Sequence, residues 1–304
     1  MKLSKILAPL LALCLFASTA CASTFIDAHG NEIQLDDSLE AYAAVTLVGA
    51  NDAARQGETN LGDLWTDALR WFAVSGEINA AFDEDDVKAG NDHIAVDADH
   101  VVALWNGGNL RADIAEGTFG AEALAEVLPF PNKVAVVYMS GAQLLEALEA
   151  ASQALPYTAE TADACASLMQ VSGLTYTINA DIPSSVVKND KSEFVKVDGA
   201  YRVSDIMVGG QPLDVNKTYT LASHNYMLKD AGDGYTMFGT KNVKLLKDGV
   251  MIDNQVLINY IVNNLGGVVG EQYAAPQGRI TIKTAASDVP TNESEKVIAG
   301  RDTA

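Results

Sequence analysis

The sequence has few residues of the kinds that cross-link a chain, hold metals or attract anionic polymers. Its 304 residues include three cysteines, four histidines and 20 basic residues against 40 acidic ones. Cys14 and Cys21 fall within the first 22 residues, which have the pattern of an export signal described below. Because removal or lipidation of that segment takes both of them away, we expect Cys165 to have no internal disulfide partner. The formal charge of −20 repels nucleic-acid duplexes and anionic membrane surfaces, so we expect neither as a partner.

A long apolar run is also lacking beyond the first 22 residues. Residues 1–22 combine two early lysines, the stretch "ILAPLLALCLFA" and small residues at the end, a pattern typical of an export signal and too short for a membrane-spanning helix. Two processing routes fit it: cleavage by the A-x-A rule at residues 20–22, or acylation of Cys21 within "STAC", where Ser18 departs from the usual leucine. We expect an exported protein, either periplasmic or lipid-anchored to the cell envelope.

Metal-binding motifs are scarce as well. Residues 27–30, "DAHG", spell the D-x-H-G sequence that opens the dinuclear metal site of calcineurin-like phosphoesterases, but the G-D-x-x-D, G-N-H-D/E and H-x-H elements that complete such a site do not follow. His93, His100 and His224 stand singly, and a lone histidine is more often a surface or core residue than a ligand. We expect no metal site in this chain.

What the sequence does contain is an alternation of two apolar periodicities. In "TNLGDLWTDALRWFA" the spacing i, i+3, i+4, i+7 predicts a helix capped by Thr59 or Asn60. Later segments predict, in chain order, the strand "HVVALW", a helix around "AEALAEVL", the strand "KVAVVYM", the helix "SGAQLLEALEAA", the strands "GLTYTI", "YRVSDIMV" and "TYTLASHNYM", the helix "DNQVLINYIVNNLGG" and the strand "GRITIK". A polar insertion at about residues 181–199 separates two of these strands. The pattern indicates sheets covered by helices.

Five stretches taken together resemble one protein family. They are "ETNLGDLWTDAL", "NGGNLRADIAEGTF", "VLPFPNKVAVVYMSGAQLLEALE", "VSGLTYTI" and "AGDGYTMF", and they occur in the order and spacing of the C-terminal, substrate-recognition domain of the 5′-nucleotidase family. The resemblance implies an α+β fold, a layered α/β/β/α sandwich with mixed sheets. In that family the domain presents nucleotide to a separate N-terminal metallophosphoesterase domain, whose motifs this sequence lacks.

The resemblance therefore implies a C-terminal domain standing alone. Together with the composition it divides the chain into an export signal at 1–22, a short hairpin or linker at 23–44, the nucleotidase-like domain at 45–284 and a polar tail at 285–304. We expect no cofactor in this chain and a divalent metal only in a partner catalytic domain.

Matching the family's nucleotide-contacting positions motif by motif gives six candidate ligand-binding residues: Arg55, Asn106, Arg111, Phe130, Tyr226 and Asp233. Phe130 and Tyr226 offer flat apolar faces to a nucleobase. Asp233, between two glycines, can accept hydrogen bonds from a ribose diol.

The other three candidates carry amide or guanidinium groups. Asn106 offers an amide to base or sugar, and the guanidinium groups of Arg55 and Arg111 suit phosphate oxygens. The sequence departs from the family at Ala231, where relatives usually have glycine, and the interval before Asp233 is one residue longer than in several relatives. Met227 is therefore an alternative to Tyr226 as the second stacking residue.

These residues support two functions. The first is nucleotide recognition in nucleotide catabolism, with phosphate ester hydrolysis performed by a separate metallophosphoesterase chain. The second is a non-catalytic, exported nucleotide- or nucleoside-binding protein. A degenerate interaction scaffold is disfavoured, because all six candidate positions carry suitable side chains.

Overall fold

The computed structural model of the chain describes residues 24–26, 32–34, 39–75, 88, 98–130, 132–249 and 251–284. Its strands are β1 (Thr24–Ile26), β2 (Glu32–Gln34), β3 (Ala41–Ala43), β4 (Val101–Asn106), β5 (Gly117–Phe119), β6 (Val134–Ser140), β7 (Met169–Ser172), β8 (Leu174–Asn179), β9 (Val186–Lys188), β10 (Phe194–Val197), β11 (Val203–Val208), β12 (Gln211–Pro212), β13 (Thr218–His224), β14 (Lys244–Lys247), β15 (Val268–Val269) and β16 (Ile280–Lys283). Its helices are α1 (Asn51–Gln56), α2 (Asn60–Val74), α3 (Ala121–Val127), α4 (Gly141–Ser152), α5 (Asn225–Asp230) and α6 (Asp253–Asn259), the last continuing as a π turn over Tyr260–Asn264.

Several sequence predictions concern other parts of the chain. The expected export signal, Cys21, the "DAHG" stretch, His93 and the polar tail lie outside the described residues. None of the helices in the described part is both long enough and apolar enough to span a membrane.

The helix predicted after Thr59 is confirmed as α2. The hydroxyl oxygen of Thr59 accepts a hydrogen bond from the backbone N–H of Gly62 (3.0 Å), which satisfies one of the free N–H groups of the first turn. The apolar stripe of the helix, including Leu64, Trp65 and Leu69, is fully buried. The stripe is therefore core.

A five-stranded sheet in the order β14-β6-β13-β4-β7 forms the centre of the fold. β4 and β13 pair in parallel, whereas the other neighbours pair antiparallel. Both faces of the sheet are covered, so every residue of β4 is buried. That explains why this strand has a continuous apolar run rather than an alternating one.

Alternate residues of the central strands enter two separate apolar cores. On one face Val101, Ala103 and Trp105 pack with α2, α3 and α6. On the other face Val102 and Leu104 pack with α4 and with a second sheet, in the order β12-β11-β8-β16. The second sheet is also mixed, because β16 pairs in parallel with β8. The predicted α+β class with mixed sheets is confirmed.

Two segments differ from their sequence predictions. The strand predicted for "TYTLASHNYM" stops at His224, whose ring nitrogen Nδ1 accepts a hydrogen bond from the backbone N–H of Met227 (3.3 Å) and caps α5. In the polar insertion at about residues 181–199, where the sequence predicts no element, β9 and β10 form an antiparallel hairpin. Strand periodicity is weak in this hairpin because most of its side chains face solvent.

A buried acid joins α4 to the second sheet. The carboxylate of Glu149 accepts hydrogen bonds from the backbone N–H groups of Arg202 (2.9 and 3.0 Å) and Val203 (3.0 Å). The Arg202 guanidinium in turn donates to four backbone carbonyl oxygens at 2.7 to 3.2 Å. Glu149 is fully buried and Arg202 almost so.

We expect Glu149→Ala to lower the free energy of unfolding by about 3 kcal/mol, because it leaves two buried backbone N–H groups unpaired and removes the negative charge that favours the charged form of Arg202. Urea unfolding followed by circular dichroism measures the loss. Glu146→Ala, one turn earlier on α4 and half-buried, is the control and should cost about 1 kcal/mol or less. Equal losses in the two variants would contradict a structural role specific to Glu149.

Candidate functional site

The parallel pairing of β4 with β13 brings two distant parts of the chain to one edge of the central sheet. Thr220, Leu221 and Ala222 lie opposite Val101, Val102 and Ala103. The two strands therefore end at the same edge, β4 at Asn106 and β13 at His224. Carboxyl ends of parallel strands are where ligands most often bind in open sheets.

A cavity of about 990 Å³ opens at this edge. Its wall is formed by residues from five segments: 106–111 at the end of β4, 150–154 at the end of α4, 160–167, 188–194 in the β9–β10 hairpin, and 226–235. Four of the six candidate residues lie on the wall: Asn106, Arg111, Tyr226 and Asp233. Phe130 and Arg55 do not line it.

Hydrogen bonds fix the orientation of the Asn106 amide. Because Nδ1 of His224 accepts from Met227, its Nε2 carries the proton and donates to Oδ1 of Asn106 (3.1 Å). Nδ2 of Asn109 donates to the same oxygen (2.9 Å). The amide nitrogen of Asn106 therefore points toward the carboxylate of Asp233, 3.5 Å away, and can donate to a ligand in the cavity.

His224 belongs to an aromatic column that runs from the core to the cavity. Trp65 and Trp105 meet edge to face with ring centroids 5.0 Å apart, and Trp105 meets His224 in the same way at 4.7 Å. The Tyr226 ring lies nearly parallel to that of His224 at 6.2 Å. His224 is fully buried, and burial lowers its pKa to about 3, so its ring stays neutral near pH 7.

The structure distinguishes the two alternatives for the second stacking residue. Tyr226 is 49% exposed and lines the cavity, whereas Met227 is fully buried in the core. Gly232 covers part of the Tyr226 ring so closely that a methyl group there would collide with it. As it stands, Met227 has no surface to offer a ligand.

Asp233 occupies a strained turn next to Tyr226. Its φ of 54° lies in the left-handed region, as does that of Ala231, also 54°, which explains why glycine suits the family position that Ala231 fills. The Asp233 carboxylate reaches the cavity, yet the protein atoms around it raise its pKa through desolvation. The turn thus presents a carboxylate toward the ligand space.

Arg111 and Phe130 form a pair at the margin of the cavity. The Arg111 guanidinium carbon lies 5.0 Å from the centroid of the Phe130 ring, a cation–π contact, and Phe130 is 40% exposed. Within the described ranges no hydrogen bond or ion pair engages the Arg111 guanidinium, so its donors are free for a ligand. Burial lowers the Arg111 pKa, and the nearby positive charge of Arg55 lowers it further.

Arg55 does not line the cavity but contacts one of the segments that do. Its Nη1 donates to the carbonyl oxygen of Ala162 (3.0 Å) and forms an ion pair with the carboxylate of Asp163 (3.4 Å). These contacts hold the segment 160–167 in place, and that segment lines the cavity. Arg55 therefore contributes positive charge near Arg111 and shapes one wall.

Sequence reasoning missed two residues that organise the site. Asn109 carries a signal in the sequence, since it completes N-G-G-N one turn after Asn106. His224 carries none beyond its place before α5, because its role depends on the pairing of β13 with β4. Among the described residues, no group of three or more histidine, cysteine, aspartate or glutamate side chains is arranged to hold a metal ion.

The lowered pKa of His224 predicts a component of acid sensitivity. Between about pH 6.5 and about pH 3 the unfolded chain takes up a proton here that the folded state excludes, so the free energy of unfolding falls as pH falls, by up to about 1.4 kcal/mol per pH unit. His224→Gln cannot titrate and should show a shallower decline in urea unfolding between pH 7 and pH 4. His100→Gln is the control. Identical pH profiles for wild type and His224→Gln would refute this origin.

Comparison with known proteins places the fold in a family. The profile of the 5′-nucleotidase C-terminal domain matches residues 40–240. The chain is 30% identical over 242 residues to Protein 5NUC of Lutzomyia longipalpis, covering 78% of this chain and 37% of that protein. It is 29% identical over 220 residues to the cell wall protein Lmo0130 of Listeria monocytogenes, covering 69% and 22%.

A solved structure agrees with these matches. The 5′-nucleotidase precursor of Thermus thermophilus superposes with a TM-score of 0.54 and 28% sequence identity, over 80% of this chain and 39% of that one. The chain thus spans well under two thirds of the length of each of these relatives. The profile match covers most of the described residues, and the chain belongs to the 5′-nucleotidase C-terminal domain family.

Proposed function

We propose that this chain is a nucleotide-recognition domain that acts in nucleotide catabolism, together with a metallophosphoesterase carried by a separate polypeptide. The observation that carries the proposal is the convergence of Asn106, Arg111, Tyr226 and Asp233 on one cavity in a domain of this family. An aromatic ring, an amide, a carboxylate and a guanidinium together suit the base, sugar and phosphate of a nucleotide.

In the proposed complex the parts of the ligand have separate contacts. The base stacks on Tyr226, with Phe130 as the second ring, and Asn106 donates its amide hydrogens to base or sugar. The Asp233 carboxylate accepts hydrogen bonds from the ribose hydroxyl groups. Bound in this way, the nucleotide is held in one orientation, which is how a recognition domain lowers the barrier for chemistry supplied elsewhere.

The phosphate is assigned to Arg111, with support from Arg55. The positive charge of Arg55 lowers the pKa of Arg111, and a phosphate bound at Arg111 relieves that repulsion. In a chain with a formal charge of −20, such a local cationic pair is what a phosphate requires to approach. A bound phosphate also competes with Asp163 for Arg55.

The hydrolytic step is assigned to a metal-dependent partner. In this proposal the partner's divalent metals generate the nucleophile, and the present chain binds and orients the substrate. We also propose that the protein is exported, on the basis of residues 1–22, and that it is soluble in the periplasm or anchored to the envelope through Cys21. A relative of this chain is named as a cell wall protein.

Isothermal titration calorimetry with AMP, adenosine and UMP tests nucleotide binding. Arg111→Ala should weaken AMP binding roughly 10- to 100-fold, because a charged hydrogen-bond donor to phosphate is lost, and leave adenosine within about twofold. Tyr226→Ala should instead weaken AMP and adenosine alike, roughly 5- to 100-fold, because both lose the same stacking contact.

Tyr42→Ala is a matched control for the second variant, since Tyr42 is 45% exposed on β3 and does not line the cavity. Arg111→Lys keeps the charge without the planar fork and should lie between wild type and Arg111→Ala. Failure of the wild-type protein to bind any of the three compounds would remove the basis of the proposal.

Hydrolysis assays test the division of labour. With AMP and added Mn²⁺ or Mg²⁺, we expect the purified chain to release no phosphate above the buffer rate, and to raise the kcat/KM of an exported metallophosphoesterase that lacks a recognition domain. Phosphate release by this chain alone would contradict the assignment of hydrolysis to a partner. Binding without stimulation of any such enzyme would favour a non-catalytic nucleotide-binding protein.

A further inference from the structure

The β9–β10 hairpin forms a wall of the cavity that none of the contacts assigned above uses. It is inserted between β8 and β11 and contributes Lys188, Lys191, Ser192, Glu193 and Phe194 to the lining. Phe194 is almost fully buried in the second core, and its carbonyl oxygen accepts a hydrogen bond from the hydroxyl of Thr236. The hairpin is therefore anchored to the segment that follows Asp233.

The turn of the hairpin is also internally fixed. The side-chain oxygen of Asn189 accepts hydrogen bonds from the backbone N–H groups of Lys191 (2.9 Å) and Glu193 (3.0 Å). Its amide nitrogen donates to the Glu193 carboxylate (2.7 Å). The turn thus holds Lys188 and Lys191 in a defined place on the cavity rim.

The hairpin turn lies directly against the turn that carries Asp233. A Cβ atom at Gly234 would come within 2.7 Å of the carbonyl oxygen of Ser192, so only glycine permits this approach. The two lysines consequently belong to the same ligand space as Asp233. They come from a different part of the chain than the two arginines: Arg55 lies in α1, and Arg111 follows β4.

Some of the charged side chains around this part of the cavity have a partner, and others have none among the described residues. Glu193 is engaged by Asn189, and Asp163 is paired with Arg55. Lys188 and Lys191 are exposed and have no ion-pair partner within the described ranges. The carboxylates of Glu160 and Asp230, from the neighbouring segments, also line the cavity, and among the described residues of the hairpin Lys188 and Lys191 supply the positive charge that faces it.

The cavity volume leaves room for a ligand larger than a mononucleotide. At about 990 Å³ it lies at the upper end of the range of roughly 300 to 1,000 Å³ that is typical of small-molecule sites. We propose that Lys188 and Lys191 form a second anion subsite, which binds a further phosphate group of a nucleotide whose first phosphate is held at Arg111. The inference rests on the proposed nucleotide binding and extends it to ligands with two phosphate groups.

Calorimetry with AMP, ADP and adenosine 3′,5′-bisphosphate tests the subsite, since the two larger ligands carry the second phosphate at different places. We expect at least one of them to bind wild type more tightly than AMP does. The double variant Lys188→Ala/Lys191→Ala should weaken that ligand roughly three- to tenfold and leave AMP within about twofold.

The double variant Lys196→Ala/Lys217→Ala is the matched control. It removes the same total charge from exposed lysines that do not line the cavity, and it should bind all three ligands as wild type does. The subsite is refuted if AMP binds wild type but neither larger ligand gains affinity, or if the control variant loses as much as the test variant. Absence of binding of all three nucleotides to wild type refutes the proposed function itself.

Discussion

The parallel pairing of β4 with β13 is the constraint on which the site depends. The pairing joins residues more than a hundred positions apart and makes both strands end at one edge of the central sheet. Asn106 and His224 meet there, at the two strand ends. A shift of one residue in this register would turn Asn106 to the opposite face of the sheet, because side chains alternate between faces.

The core reaches the cavity through the aromatic column of Trp65, Trp105, His224 and Tyr226. In its interior the His224 ring is neutral and can donate through Nε2 alone, which leaves the Asn106 amide one favourable orientation. Rigid packing beneath the site thus sets the direction of a polar group at its surface. Tyr226, the last ring of the column, is the one that a ligand can touch.

Few basic side chains lie around the cavity. The chain has twice as many acidic as basic residues, and attraction of a phosphate therefore depends on a few local cations. Among the described residues no hydrogen bond engages the Arg111 guanidinium, which lies over the Phe130 ring. Arg55 adds positive charge nearby and is hydrogen-bonded to the segment 160–167. The β9–β10 hairpin adds two further lysines from a separate part of the chain. The four cations come from three parts of the chain: α1, the segment after β4 and the β9–β10 hairpin.

Sequence alone determined the elements whose physical cause is local. The apolar period and the Thr59 cap of α2 and the continuous apolar run of β4 follow from residue spacing, which also indicates sheets covered by helices. The α+β class with mixed sheets came from the resemblance to the 5′-nucleotidase C-terminal domain, and the structure and the family match confirm it. The six candidate residues came from matching short motifs. Four of them meet at the cavity.

Tertiary structure decided what depends on pairing between distant segments. It placed Tyr226 rather than Met227 at the cavity, turned Arg55 toward Ala162, and made His224 a helix cap and an amide anchor. It also paired the strands of the polar insertion into the β9–β10 hairpin, which lines one side of the cavity. Local periodicity reports which residues are apolar, whereas strand register and the approach of one turn to another determine which side chains share a space.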